Sequence, residues 1–276
     1  MTICISAIGK NEINGEEFIV FATDHMVTFG NKEMSNEFEH NIKKYKELGL
    51  TNKSVAMLSG TTLLFEELLK ETEKLEGYDN IRDKIYNNFK DIKKRAINNQ
   101  LLEPFALSEK DLKEFLIRPV ENPVTRTILE SIMKHNLNTS ILLIGFKEKK
   151  AQIYEINEYE KISVRDIHFH TIGSGCFQAS NSLFIQKHCR EDNLKKTIYN
   201  VYKAKRNAKI AKGVGQDTEI LVCSENKIIS ISDDDLKELK LIYDKELTFG
   251  QEQIIQKDLK SLNAFMESKE VVEQNV

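Results

Sequence analysis

The sequence predicts an α+β fold, a four-layer αββα sandwich in which two stacked sheets lie between helical layers. Strand-like segments gather into hairpins instead of alternating one by one with helices, which argues against βαβ units and a parallel sheet. The apolar period changes in whole blocks, giving the order strands, helices, strands, helices, strands, helix. The chain has 276 residues, of which 40% are hydrophobic, enough to bury one large core. The expected organisation is a domain over 1–232, with an enlarged helical segment at 77–137, and a helical extension over 233–276.

Residues Thr2–Ile8 alternate, with Ile3, Ile5 and Ala7 on one face and Thr2, Cys4 and Ser6 on the other. Phe18–Thr23 is a second apolar strand, and Asn14-Gly15 between them is a hairpin signal. A further strand pair is expected at Ile42–Leu48 and Ser54–Ser59. Leu63, Leu64, Leu68 and Leu75 then set a helical period that starts after Gly60-Thr61-Thr62. Helices continue over Asn80–Asn99 and Ser108–Ile117, the latter with a Ser108-Glu-Lys-Asp capping start, and from Pro123 to about His135. Strands return at Ser140–Phe146 and Ala151–Ile156 across Lys147-Glu-Lys-Lys, and at Ile167–Ile172. Helices are expected at Cys176–Cys189 and Leu194–Ala211, then a hairpin of Glu219–Cys223 with Lys227–Ile231, then a helical tail from Asp233.

Composition narrows the function. Lys and Arg number 40 against 43 Asp and Glu, a net charge of −3, so no global field favours nucleic acid or an anionic membrane. The 4 cysteines have no paired short spacing and suit a reducing cytosol better than a disulfide framework. No apolar run is long enough to span a bilayer and no secretory signal opens the chain, so a cytoplasmic location without membrane association is expected.

Chemistry points to the amino terminus. A threonine that attacks amides needs a base for its hydroxyl, a nearby cation and donors for the oxyanion. An N-terminal threonine carries its own base, because a free α-amino group has a pKa of about 8. Thr2 follows the initiator Met1 and is small enough for that methionine to be removed. Its bland alternative is a β-branched residue that merely starts a strand. Asp24 and Lys44 fall on early strands, where a partly buried carboxylate needs a cation. Gly173-Ser174-Gly175 taken alone is a tight strand-to-helix turn.

These segments together resemble the proteasome β-subunit-like N-terminal-nucleophile hydrolases, a family that includes the bacterial ATP-dependent ring protease. The resemblance spans roughly residues 2–232. It rests on Thr2-Ile-Cys-Ile-Ser-Ala, Phe18-Ile-Val-Phe-Ala-Thr-Asp24 with Val27-Thr-Phe-Gly30, and Asn41-Ile-Lys-Lys-Tyr-Lys-Glu-Leu48. Val55-Ala-Met-Leu-Ser-Gly60, Ile172-Gly-Ser-Gly175 and Gly213-Val-Gly-Gln-Asp-Thr-Glu-Ile220 complete it. It implies Thr2 as nucleophile, Lys44 in preference to Lys43 as the activating cation, and Asp24 as the partner holding that lysine. It further implies that Ser174 bonds near the Thr2 amine and that the Gly60 amide serves the oxyanion. A peptide or amide substrate, self-assembly into a homo-oligomer and no cofactor or metal follow from the same resemblance. The sequence departs from the pattern in a longer first hairpin, a longer Asp24-to-Lys44 segment and a longer helical stretch from Gly77 to His135. It also has Ile210-Ala-Lys-Gly where the family carries an aspartate. The alternative is a non-catalytic ring-forming or partner-binding relative that keeps Met1.

Other features carry less. His168 and His170 would share a strand face as half a metal site, but no third ligand is evident. Cys176 is read as a small buried residue beside Ser174. Lys203, Lys205, Arg206, Lys209 and Lys212 are read as a solvated helical face rather than a nucleic-acid surface. Gly213-Val-Gly215 lacks the lysine and hydroxyl of a phosphate loop. The C-terminal stripe of Ile255, Leu259 and Leu262 is read as packed on the domain or as an oligomer contact, with packing the default.

Overall fold

A computed structural model of the chain describes residues 2–30, 35–39, 43–49, 53–117 and 123–258. Strand β1 (Ile3–Lys10) is buried along almost its whole length, on both faces. The alternation read from its sequence therefore separates two apolar surroundings, not core from solvent. Its place in the sheet explains this, since β1 lies inside a five-stranded antiparallel sheet, between β2 (Glu17–Thr23) and a strand from late in the chain. Next come a hairpin of β3 (Met26–Gly30) with β4 (Ser35–Glu39), then β5 (Tyr45–Leu48) and β6 (Ser54–Ser59). Ile42, the expected start of β5, lies outside the described residues.

The helix expected after Gly60 is shorter than its pattern. A 3₁₀ turn over Thr62–Leu64 leads into α1 (Phe65–Leu68), and Glu71, at a φ of 66°, ends the helical path. Helix α2 (Tyr78–Ile97) buries Tyr78, Ile81, Ile85, Phe89 and Ile92, one stripe at helical spacing. It runs on through a π-helical turn, Asn98–Leu102. Helix α3 (Glu109–Ile117) has a reciprocal cap in which the Asp111 amide donates to the Ser108 hydroxyl at 3.3 Å and the Ser108 amide donates to the Asp111 carboxylate at 2.7 Å. Helix α4 (Pro123–Lys134) begins on proline, which fits a first turn.

Strands β7 (Ser140–Lys147) and β8 (Lys150–Ile156) join through Glu148-Lys149, both at positive φ, the geometry that a two-residue hairpin requires. After β9 (Lys161–Ser163) and a 3₁₀ turn over Arg165–Ile167, β10 (Phe169–Gly173) starts two residues later than expected. Helices α5 (Cys176–Ile185) and α6 (Leu194–Ala208) follow, then β11 (Glu219–Cys223) and β12 (Ile228–Ser230).

The strand order is β10-β1-β2-β11-β12 in one sheet and β5-β6-β7-β8-β9 in the other, all antiparallel. One apolar cluster draws on both sheets, with Cys4, Ile8 and Phe21 from the first meeting Val55, Met57 and Ile144 from the second. Ala56 and Leu58, which alternate with Val55 and Met57 along β6, face the opposite way and pack with Ile81, Ile85 and Phe89 of α2. On the first sheet, α6 lies against β1 and β2, and α5 against β10 and β1. The structure is thus a mixed α/β fold with two antiparallel sheets and helices. By internal contacts the chain divides into Met1–Ser230 and Ile231–Val276. The second unit carries α7 (Asp233–Asp258), whose Asp235 amide donates to the Ser232 hydroxyl at 3.2 Å. Leu259 and Leu262 of the C-terminal stripe lie outside the described residues. Among the described residues no helix is long and apolar enough to cross a membrane.

Candidate active site

Three of the candidate residues meet through their side chains at one end of the first sheet. Thr2 immediately precedes β1, Asp24 immediately follows β2, and Lys44 immediately precedes β5. Asp24 and Lys44 thus stand at strand ends rather than on strands, where backbone direction changes and side chains from both sheets converge. All three are buried, at 3%, 0% and 4% relative exposure.

The Thr2 hydroxyl donates to Asp24 Oδ1 at 2.5 Å and accepts from Lys44 Nζ at 2.6 Å. Lys44 also reaches Asp24 Oδ1 at 2.7 Å and donates to the Met26 carbonyl. Oδ1 takes the Ile3 amide at 3.3 Å as well, and Oδ2 takes the Gly215 amide at 2.8 Å. A buried carboxylate and ammonium with this many hydrogen bonds are compensated for the water they lost. The two neighbouring lysines differ in surroundings: Lys43 is exposed, with its ammonium 5.5 Å from the Tyr45 ring centroid, while Lys44 is buried.

The glycine-rich turn holds Thr2 from the other side. The Ser174 amide donates to the Thr2 carbonyl at 2.9 Å and its hydroxyl does so at 3.3 Å. Ser174 therefore bonds the Thr2 carbonyl, whereas the sequence pattern implied a bond near the amine. Gly173 has a φ of 104°, and a Cβ there would fall 2.1 Å from the Thr2 carbonyl oxygen. Only glycine allows this approach.

Gly60 immediately follows β6, also at positive φ, and Ser59 Oγ lies 3.2 Å from where a Gly173 Cβ would be. The same strand anchors the site, since the Leu58 amide donates to the Lys44 carbonyl at 3.0 Å and the Cys4 thiol donates to the Leu58 carbonyl at 3.4 Å. Burial, reinforced by the Asp24 charge, raises the Cys4 pKa and keeps it a thiol.

Sequence reasoning missed the main-chain participants. The Gly215 amide and the Met26 carbonyl carry no side-chain signature. Two side chains next to the site were also missed: His25 Nε2 lies 3.3 Å from Glu219, and the Tyr45 hydroxyl donates to Glu219 at 3.1 Å. Burial and the Glu219 charge push the Tyr45 phenol up, so it remains a donor. The histidine pair is not brought together as strand neighbours: His168 caps the 3₁₀ turn at a φ of 71°, before β10 begins, and His170 is paired with Glu155 at 2.6 Å. Among the described residues no group of three potential ligands could hold a metal ion.

No protein-family model matches the sequence, and no curated protein is similar to it. Solved structures do match in fold. Anbu (ancestral beta-subunit) from Yersinia bercovieri superposes with a TM-score of 0.61 at 10% identity, covering 93% of this chain and 97% of that one. The Anbu (Gly-1) mutant from Hyphomicrobium sp. strain MC1 gives 0.60 at 12% identity, with the same coverage of each chain. Anbu from that strain in another crystal form gives 0.55 at 15%, again covering 93% and 97%. These findings correct the assignment to the proteasome β-subunit-like N-terminal-nucleophile hydrolases that the sequence segments suggested. The solved neighbours share only 12%, 10% and 15% identity with the chain, and likeness at that level does not carry family membership. What the chain shares with the Anbu proteins is a proteasome-like fold.

Proposed function

We propose that the chain is an N-terminal threonine hydrolase of peptide or amide bonds, active after removal of Met1, built as a four-layer αββα sandwich and working as a homo-oligomer. The observation that carries this reading is the buried contact of Thr2 Oγ1 with both Lys44 Nζ and Asp24 Oδ1, at 2.6 and 2.5 Å. A hydroxyl held between an ammonium and a carboxylate is oriented and electrostatically prepared to become an alkoxide.

In the proposed reaction the freed Thr2 amine takes the hydroxyl proton as Oγ1 bonds to the substrate carbonyl carbon. Lys44 stabilises the charge on Oγ1, and Asp24 keeps Lys44 in place. The Gly60 amide donates to the oxyanion. Collapse breaks the carbon–nitrogen bond, the leaving amine takes the proton from the ammonium, and an ester on Thr2 remains. Water then attacks the ester, its proton passes through the Thr2 amine back to Oγ1, and the acid departs. Met1 itself lies outside the described residues.

The test is hydrolysis of fluorogenic peptide amides by protein of known intact mass. Protein lacking Met1 is expected to turn over, and Thr2→Ala to lose about 10³-fold or more. Retention of Met1 with no turnover would favour the non-catalytic, partner-binding alternative. Turnover unchanged in Thr2→Ala would overturn the mechanism outright.

A further inference from the structure

Lys205 is wholly buried, in the last turn of α6. Lysine is among the residues least often found there, and an enclosed ammonium is costly unless hydrogen-bonded. Its Nζ donates to the Gly215 carbonyl at 2.8 Å, while the amide of that same residue donates to Asp24 Oδ2 at 2.8 Å. One turn further on, Lys209 donates to the Gln216 carbonyl. Two lysines four apart thus end on successive carbonyls of one loop. The loop is also closed from the side of the nucleophile, because a Cβ on Gly175 would lie 2.8 Å from Val214 Cγ2. Cations at a helix C-terminus are favoured by the helix dipole, which suits both lysines to this place.

Asp24 has one oxygen for Thr2 and Lys44 and the other for Gly215. The Gly215 amide therefore sets the rotation of the carboxylate that orients the lysine. We propose that Lys205, aided by Lys209, is a positioning residue that fixes the Gly215 peptide against Asp24 and so holds the Asp24–Lys44 pair in register with the Thr2 hydroxyl. The catalytic part of this inference rests on the hydrolase reading; the brace itself rests on geometry alone.

The experiment compares wild type with Lys205→Met, which keeps the chain length and removes the charge. It combines Thr2 labelling by an epoxyketone with deuterium exchange at the Gly215 amide. The maximal labelling rate is expected to fall about 10–100-fold, while the half-saturating probe concentration and the final stoichiometry per folded chain stay unchanged. Gly215 exchange should accelerate. An unchanged rate, or lower stoichiometry at an unchanged rate, would overturn the proposal, the latter being the mark of a purely structural residue. If Lys205→Met does not fold, Lys209→Met is expected to slow labelling in the same sense, and unchanged labelling there would overturn the two-lysine brace. If wild type is not labelled at all, the hydrolase reading fails. Gly215 exchange then decides on the brace alone, faster exchange in Lys205→Met upholding it and equal exchange overturning it.

Discussion

Gly173 and Gly15 both have positive φ, 104° and 71°, but their surroundings make them unequal. A Cβ on Gly173 would meet the Thr2 carbonyl at 2.1 Å, whereas on Gly15 it would meet only the end of Lys10 at 3.7 Å. Gly173→Ala is expected to cost at least about 1–3 kcal/mol and to displace Thr2, abolishing labelling. Gly15→Ala should cost about 1 kcal/mol and leave labelling intact. Urea midpoints with parallel labelling check both. Lys44→Met leaves Asp24 buried without that cation and should cost about 3–5 kcal/mol in the same assay. Thr2, Asp24 and Lys44, whose side chains meet in the structure, could be picked out of the sequence as polar residues at the edges of apolar strand segments. Lys205 was misread as part of a solvated basic face. Its spacing gave a usable signal, since it lies four residues after Val201 and three before Ala208, both wholly buried.

Boundaries of elements were less legible than their existence, and α5 shows why. Its pattern continues toward Cys189, but the helix stops at Ile185, followed by Lys187 at a φ of 51°. There buried His188 turns inward, its Nε2 at 3.0 Å from the Ile8 carbonyl, a partner 180 residues away that no local pattern encodes. A carbonyl can only accept, so Nε2 carries the proton, leaving Nδ1 to accept from Asn200 at 3.3 Å. Burial lowers the His188 pKa, despite the opposing pull of Asp192 at 3.2 Å. The folded state therefore binds this proton less readily than the unfolded chain, and stability rises with pH across the interval between the two values. The contribution is complete above about pH 6.5 and is lost as pH falls through the lower folded value. Urea midpoints from pH 7.5 to pH 5.5 are expected to decline, and His188→Gln to flatten the decline. His168, also lowered chiefly by burial, leaves a residual slope.

At the scale of the molecule, the grouping of hairpins and helices was sufficient to foresee antiparallel sheets combined with helices. That grouping reflects packing, because each sheet must bury its faces. Val55 and Met57 turn to the other sheet while Ala56 and Leu58 turn to α2. Family membership was not legible in the same way, since strands and glycine turns recur wherever this fold is built. Self-assembly belongs to this scale too. Light scattering on the purified chain is expected to give a multiple of the monomer mass, and a strict monomer at all concentrations would contradict the homo-oligomer.

The central claim is that Thr2, once freed of Met1, is the nucleophile. It is tested most directly by mapping the adduct of an epoxyketone by peptide mass spectrometry, since the cyclic product needs a hydroxyl and a free amine on one residue. The account predicts a single adduct on an N-terminal Thr2, absent from Thr2→Ala. An unmodified Thr2, or an adduct on Cys176 in its place, would contradict it.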